Sequence, residues 1–158
     1  MRTHNYLVNI KWTGNLGTGT SGYTAYSRNH IFSAANKTEM IKLSSDPHFR
    51  GDASLYNPEE LLIASIASCH MLWYLHLCAD AKITVVNYED APEGFMEEGG
   101  TTPGKFIKVI LHPRVTVKQG DDAQKAIALH HEANAKCFIS NSCNFPIEHQ
   151  PEILFEEI

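Results

Sequence analysis

What this chain has little of narrows its function before any motif is read. Arginine is scarce: four residues (Arg2, Arg28, Arg50, Arg114) in 158, beside nine lysines and eighteen acidic groups, for a net charge of -5. Those cations are scattered, whereas holding a nucleic-acid backbone requires a concentrated basic patch, so no nucleic-acid partner is expected. No CxxC pair occurs among the four cysteines, Cys69, Cys78, Cys137 and Cys143, which removes a zinc ribbon and a thioredoxin-like motif. The opening residues "MRTHNYLVNIKW" lack the apolar core and small-residue cleavage site of a signal peptide. A cytoplasmic, reducing location is the expectation. Under it the cysteines are inert core residues or chemically active ones, not a static disulfide framework.

Repeats, low-complexity tracts and linker-like composition are also missing. Residues 1–158 therefore read as one domain, and 43% hydrophobic with 20% charged residues is an ordinary soluble composition. The glycines of "TGNLGTGTSG" are turn material and do not form a GxGxxG fingerprint opening a helix, so a phosphate loop has no support. The tripeptide Arg50-Gly51-Asp52 is read as chance, since nothing points to secretion.

One stretch lacks charge altogether. The nineteen residues from Leu61 to Ala79 are uncharged, just long enough to span a bilayer. The run contains two serines and two histidines, however, and Glu59, Glu60 and Asp80 flank it in place of Lys or Arg. It reads as a buried central helix, and no membrane partner is expected. Asn57 is a preferred N-cap, Pro58 suits the first helical position, and Glu59 with Glu60 complements the positive end of the dipole. A helix apolar nearly all round needs cover on every side: a sheet on one face, another helix or a second subunit on the other. The small residues Ala64, Ser65, Ala67 and Ser68 would allow another backbone to approach closely.

Around this helix the pattern alternates between strands and turns. Residues 5–12, 22–34, 82–96 and 105–118 read as strands, 36–56 mainly as loop, and "EEGGTTPG" as a turn. A second helix is predicted from Asp121 or Asp122 to about Lys136, with Asp121 and Gln124 as a loose capping box. A short helical turn in "CFISNSCNFPIEHQP" and a strand in "EILFEE" close the chain. The order makes an α+β domain.

A cysteine in an apolar helix is most often a small core residue, and Cys78 and Cys143 are read so. His70 is no partner for Cys69, because adjacent helical residues point about 100° apart. A reactive Cys69 needs a positive charge brought from elsewhere, since burial alone raises a thiol pKa. His130, His131 and Glu132 are consecutive and splay around a helix, so no metal site is expected.

Two segments together resemble one family. "NPEELLIASIASC" is similar to the reactive-cysteine segment of the osmotically inducible protein C / organic hydroperoxide resistance (OsmC/Ohr) superfamily, in which Asn-Pro-Glu opens a central helix and a cysteine lies ten residues after that Glu. "HHEANAKCFISNS" is similar to its second cysteine segment, and the order of elements matches along essentially the whole chain. The resemblance implies antiparallel sheets packed around a long central helix, an intertwined homodimer, and a thiol-dependent peroxidase for organic hydroperoxides with no cofactor and no metal. It makes Cys69 the peroxidatic cysteine, Cys137 the resolving one that forms a Cys69–Cys137 disulfide, and Glu59 the acidic helper, with a dithiol as reductant. Ten residues of straight helix put Glu59 roughly 15 Å from Cys69 along the axis, so Glu59 is expected to act across a dimer interface.

The chain also departs from that pattern. The resemblance implies an arginine that holds the thiolate and pairs with the glutamate, and "TGNLGTGTSG" has none. Arg50, nine residues before Glu59, is the candidate, with Arg28 in reserve; a guanidinium stays charged and can bridge carboxylate and thiolate. His70 stands where Phe is usual after the first cysteine, and Phe138 where Pro is usual after the second. A member of the same fold that binds a small ligand without catalysis, or a purely structural dimer, is the alternative these departures leave open.

Overall fold

The computed structural model describes residues 1–101 and 103–157. Two compact units divide the chain, Met1–Leu61 and Leu62–Ile158, and the boundary falls near the start of helix α1 (Pro58–Asp80).

In the first unit, β1 (Asn9–Trp12), β2 (His30–Ser33) and β3 (Ile41–Leu43) form an antiparallel sheet in that order. The strands are shorter than the alternation predicts, because much of residues 13–29 is held in turns. Ala25 N–H donates to Gly22 O (2.9 Å) and Ser27 N–H to Gly14 O (2.9 Å), and Trp12 Nε1 donates to Ser27 O (2.8 Å). The stretch 36–56, read as loop, contains β3 and a 3₁₀ turn, Pro47–Phe49, whose Asp46 cap accepts from His48 N–H. Only Leu43 of β3 is a fully buried hydrophobic, so the strand is too short for periodicity to reveal it.

The start of α1 is a reciprocal capping box. Glu60 N–H donates to Asn57 Oδ1 (2.8 Å) while Asn57 N–H donates to Glu60 Oε2 (3.0 Å), satisfying two donors that an open helix end would leave orphaned. Along α1 the buried residues are Ile66, His70, Tyr74, Leu77 and Cys78, a single stripe at helical spacing. The expectation of cover on every side is not met within this chain, since Ala64, Ser65, Ser68, Leu72 and His76 are exposed. The helix is long and apolar enough to cross a membrane by length and composition.

In the second unit, β4 (Val85–Asp90), β5 (Glu93–Glu97), β6 (Lys105–Leu111), β7 (Pro113–Val117), β8 (Ile147–His149) and β9 (Glu152–Phe155) build two sheets, ordered β4-β7-β9 and β5-β6-β8. Each of the two long strands expected here is broken once, at Ala91–Pro92 and at His112, just before Pro113. Proline has no N–H for the ladder. At the second break His112 N–H donates instead to Asp90 Oδ1 (2.8 Å). Beside the expected antiparallel pairs, β4 with β7 and β5 with β6, two pairs are parallel, β8 with β6 and β9 with β7.

Helix α2 (Ala123–Lys136) is capped by Asp122, which accepts from Lys125 N–H (3.0 Å). The box predicted for Asp121 and Gln124 does not form, because Asp121 Oδ2 accepts from Thr84 N–H (2.7 Å). Cys137 ends α2 in an extended conformation (φ -66°, ψ 114°). A 3₁₀ turn follows at Ser140–Ser142, where a short helical turn is expected.

Two apolar clusters hold this unit. Tyr74, Leu77, Cys78, Val115, Val117, Ala126 and Ala133 form one, and Ile66, Val109 and Leu111, flanked by Ile139 and Cys143, form the other. Gly94 on β5 is required where α1 passes, since a Cβ there would collide with Ile63.

Candidate active site

Cys69 sits half-buried on α1, at the edge of the buried stripe. It opens into a cavity of 510 Å³ lined by Ser65, Ser68, Leu72, Trp73, His76, Phe138 and Ile139. The walls are apolar and aromatic. Trp73 and Phe138 meet edge to face with ring centroids 5.6 Å apart, and Lys136 Nζ lies 5.7 Å from the Trp73 ring. His76 is the one basic side chain among those lining residues, and its Nε2 is 3.5 Å from Asp80 Oδ2.

Cys137, fully buried, comes from the far end of α2 to meet Cys69. Burial is the main cause that raises the Cys69 pKa, and the neighbouring Cys137 thiol adds to it. These are the two cysteines that the family resemblance pairs. All four cysteines are free thiols. Cys143, four residues beyond Ile139, donates from Sγ to Ile139 O (3.3 Å), and burial followed by the neighbouring Cys137 raises its pKa.

Glu59 and Arg50 belong to the first unit. Glu59 lies in the first turn of α1, with Oε2 buried and unpartnered. Arg50 ends the 3₁₀ turn in the left-handed region (φ 65°), and its guanidinium is 6.0 Å from the Tyr23 ring. Among the described residues no salt bridge joins Arg50 to Glu59. Arg28 is engaged locally: Nη1 donates to Tyr26 O (2.7 Å), Nη2 to Tyr23 O (2.8 Å), and both tyrosine rings lie within 4.5 Å of its guanidinium carbon.

The histidines form an array that consecutive-residue reasoning misses. His70 Nε2 and His130 Nδ1 are 3.0 Å apart, both rings fully buried. Their planes differ by only 8° with centroids 5.3 Å apart, so the rings meet edge to edge through an in-plane hydrogen bond. Tyr74 stacks on His130 at 3.7 Å, and His149 lies 5.8 Å from His70. His70 Nδ1, His130 Nε2 and His149 Nδ1 are buried and unpartnered. Burial, ahead of repulsion from the neighbouring imidazoles, pushes His70 down to about 4 and His130 down to about 3. Nothing local in the sequence signals the pair, because its members lie sixty residues apart on different helices. No group of three or more potential metal ligands converges among the described residues.

Comparison with known proteins follows the same lines. The family model described as OsmC-like protein matches residues 51–152. A search of curated proteins finds no match. An OsmC-like protein of unknown function from Vibrio cholerae superposes with a TM-score of 0.83 at 25% identity, covering 95% of this chain and 100% of that one. An organic hydroperoxide resistance protein from Legionella pneumophila, also described as a predicted redox protein, gives 0.70 at 18% identity, covering 98% and 99%. Another organic hydroperoxide resistance protein, from Elizabethkingia anophelis, gives 0.69 at 19%, covering 99% and 100%. The two hydroperoxide resistance proteins share the fold with this chain.

Proposed function

This chain belongs to the OsmC-like protein family, and within it we propose a thiol-dependent peroxidase that reduces apolar organic hydroperoxides to alcohols. The observation that carries the reading is a free thiol, Cys69, lining an open apolar cavity, with the buried free thiol of Cys137 near enough to raise its pKa.

The Cys69 thiolate attacks the outer peroxide oxygen and the O–O bond breaks. The alkoxide leaves as alcohol after taking a proton, and Cys69 becomes a sulfenic acid. Cys137 then attacks that sulfur, water departs, and a Cys69–Cys137 disulfide remains. A dithiol restores both thiols by exchange. One hydroperoxide and two thiols thus yield alcohol, water and a disulfide. Leu72, Trp73 and Phe138 suit a hydrocarbon tail, which hydrogen peroxide lacks.

Glu59 and Arg50 complete the machinery in this proposal, as acidic helper and thiolate-holding guanidinium, and no metal or cofactor takes part. The working form is a cytoplasmic homodimer. Its support is the exposed side of the apolar helix α1, where Ala64, Ser65, Ser68 and Leu72 are uncovered within this chain.

Stoichiometric tert-butyl hydroperoxide added to the reduced protein is expected to form a Cys69–Cys137 disulfide, mapped by mass spectrometry, with release of tert-butanol. Cys69→Ser abolishes both. Thiols that stay reduced would overturn the enzyme and favour a second reading, a non-catalytic ligand-binding dimer. That reading draws on the raised Cys69 pKa and on a cavity with no arginine among its lining residues.

A further inference from the structure

A thiol whose pKa is raised by burial requires something that favours its anion, and apart from the guanidinium proposed above, the cavity's own residues include no arginine. The turn after α2 supplies donors of another kind. Its hydrogen bonds account for nearly every backbone N–H. Cys137 N–H donates to Asn134 O (3.3 Å), Asn141 N–H to Cys137 O (3.0 Å), Ser142 N–H to Ile139 O (3.0 Å) and Cys143 N–H to Ser140 O (3.1 Å). Ser140 N–H donates to Cys137 Sγ (3.4 Å).

The two amides left over are those of Phe138 and Ile139. Neither donates to a backbone or side-chain oxygen among the described residues. Both residues line the cavity together with Cys69, and they are the first two residues after Cys137. The extended ψ of 114° at Cys137 ends the helix there, so these N–H groups are not drawn into an intrahelical ladder.

We propose that the backbone N–H groups of Phe138 and Ile139 form a hole that binds the Cys69 thiolate. Three successive amides then serve the two sulfurs, Phe138 and Ile139 holding Cys69 and Ser140 holding Cys137. Consecutive N–H groups make an anion-binding concavity without a formal charge, and hydrogen bonding to the ionised form lowers a pKa. In keeping with this, these two amides are the groups that oppose the upward shift of Cys69. The catalytic meaning of the hole rests on the peroxidase reading, whereas the hole itself does not. The same donors stay beside the sulfur as it becomes a sulfenic acid, so attack by Cys137 happens beneath a fixed pair of dipoles.

Ile139→Pro tests it by deleting one N–H. Ile139 has φ -69°, close to the value proline imposes, and Ile139→Val is the control that keeps the amide. The reduced proteins are alkylated with iodoacetamide from pH 5 to 10, and the Cys69 peptide is followed by mass spectrometry. A charge-assisted bond of this class shifts the thiolate equilibrium by roughly tenfold. The Ile139→Pro profile is therefore expected to move to higher pH, with Cys69 alkylation at neutral pH slowed by roughly tenfold, and Ile139→Val to match the native chain. If proline prevents folding, an amide-to-ester replacement at Ile139 removes the same donor without a ring. Identical profiles for either folded variant and the control would overturn the proposal. Because alkylation needs no peroxide, a shifted profile in a protein without peroxidase activity keeps the hole and discards the enzyme. An unshifted profile in an active peroxidase does the reverse.

Discussion

Cys69 and His70 are neighbours in sequence and opposites in environment. Cys69 lines an open apolar cavity, whereas His70 is fully buried and hydrogen-bonded to His130. About 100° of helical rotation separates them, and that rotation divides α1 into a chemical face and a structural one. On the first, polarity is sparse and a thiol has room to meet a substrate. On the second, imidazoles are packed against Tyr74 and His149 with ring nitrogens left unpartnered. A polar side chain in the core limits stability, while an apolar lining at the reactive sulfur limits solvent access. The same helix is asked to do both.

The sharpest way to separate the faces is to exchange their effects. Cys69→Ser is expected to remove hydroperoxide turnover completely while lowering stability by less than about 1 kcal/mol, as expected of a small change at a half-buried site. Denaturant unfolding beside a peroxidase assay measures both. Equal losses of stability and activity in this variant would erase the distinction.

Acid challenges the structural face next. In the unfolded chain His70 and His130 titrate near 6.5, whereas folding holds them neutral down to about 4 and about 3. Below pH 6.5 the unfolded state therefore binds more protons, so stability falls as pH drops and keeps falling until the folded values are reached. Above pH 6.5 the contribution is constant. At roughly 1.4 kcal/mol per pKa unit, the two groups together cost several kcal/mol between pH 6 and 4. The groups facing the pair are His149, itself lowered by burial and by His131, and the Tyr74 ring. Urea midpoints that stay flat from pH 7 to 4 would break the account.

A smaller loss follows from cutting the pair at neutral pH. His70→Ala leaves the His130 Nδ1 without its partner and opens a cavity, so a destabilisation of about 3 kcal/mol is expected. The Cys69 alkylation profile of the folded variant should not move, because His70 points away from the thiol.

How much of this was legible beforehand follows from what each feature depends on. Local devices were readable: Asn57 and Pro58 start α1, and the spacing of the two cysteine segments pairs Cys69 with Cys137 through a family resemblance. Features made by two distant segments were not. The His70–His130 bond joins positions sixty residues apart, and no periodicity in either helix announces that they face each other. The parallel additions of β8 and β9 likewise depend on where the chain returns after α2, and β3 is three residues long, too short to show a pattern. Pro92 and Pro113, by contrast, are strand breakers visible in the sequence itself.

The smallest expected effect bears on the chemical face alone. Phe138 is 70% exposed yet packs edge to face on Trp73 at the cavity, so its ring contributes area to a substrate while contributing little to the core. Phe138→Ala keeps the backbone N–H that we assign to the Cys69 thiolate and removes only the aromatic wall. The consequence is a split: KM for a bulky apolar hydroperoxide rises by roughly threefold to tenfold, the scale of one lost hydrophobic contact. The kcat and the alkylation profile stay near those of the native chain. An equal fall in kcat would place the ring in the chemistry, and an unchanged KM would remove the apolar cavity from substrate recognition. Either result would move the boundary between the two faces of α1, because the selectivity argued for Cys69 depends on that wall.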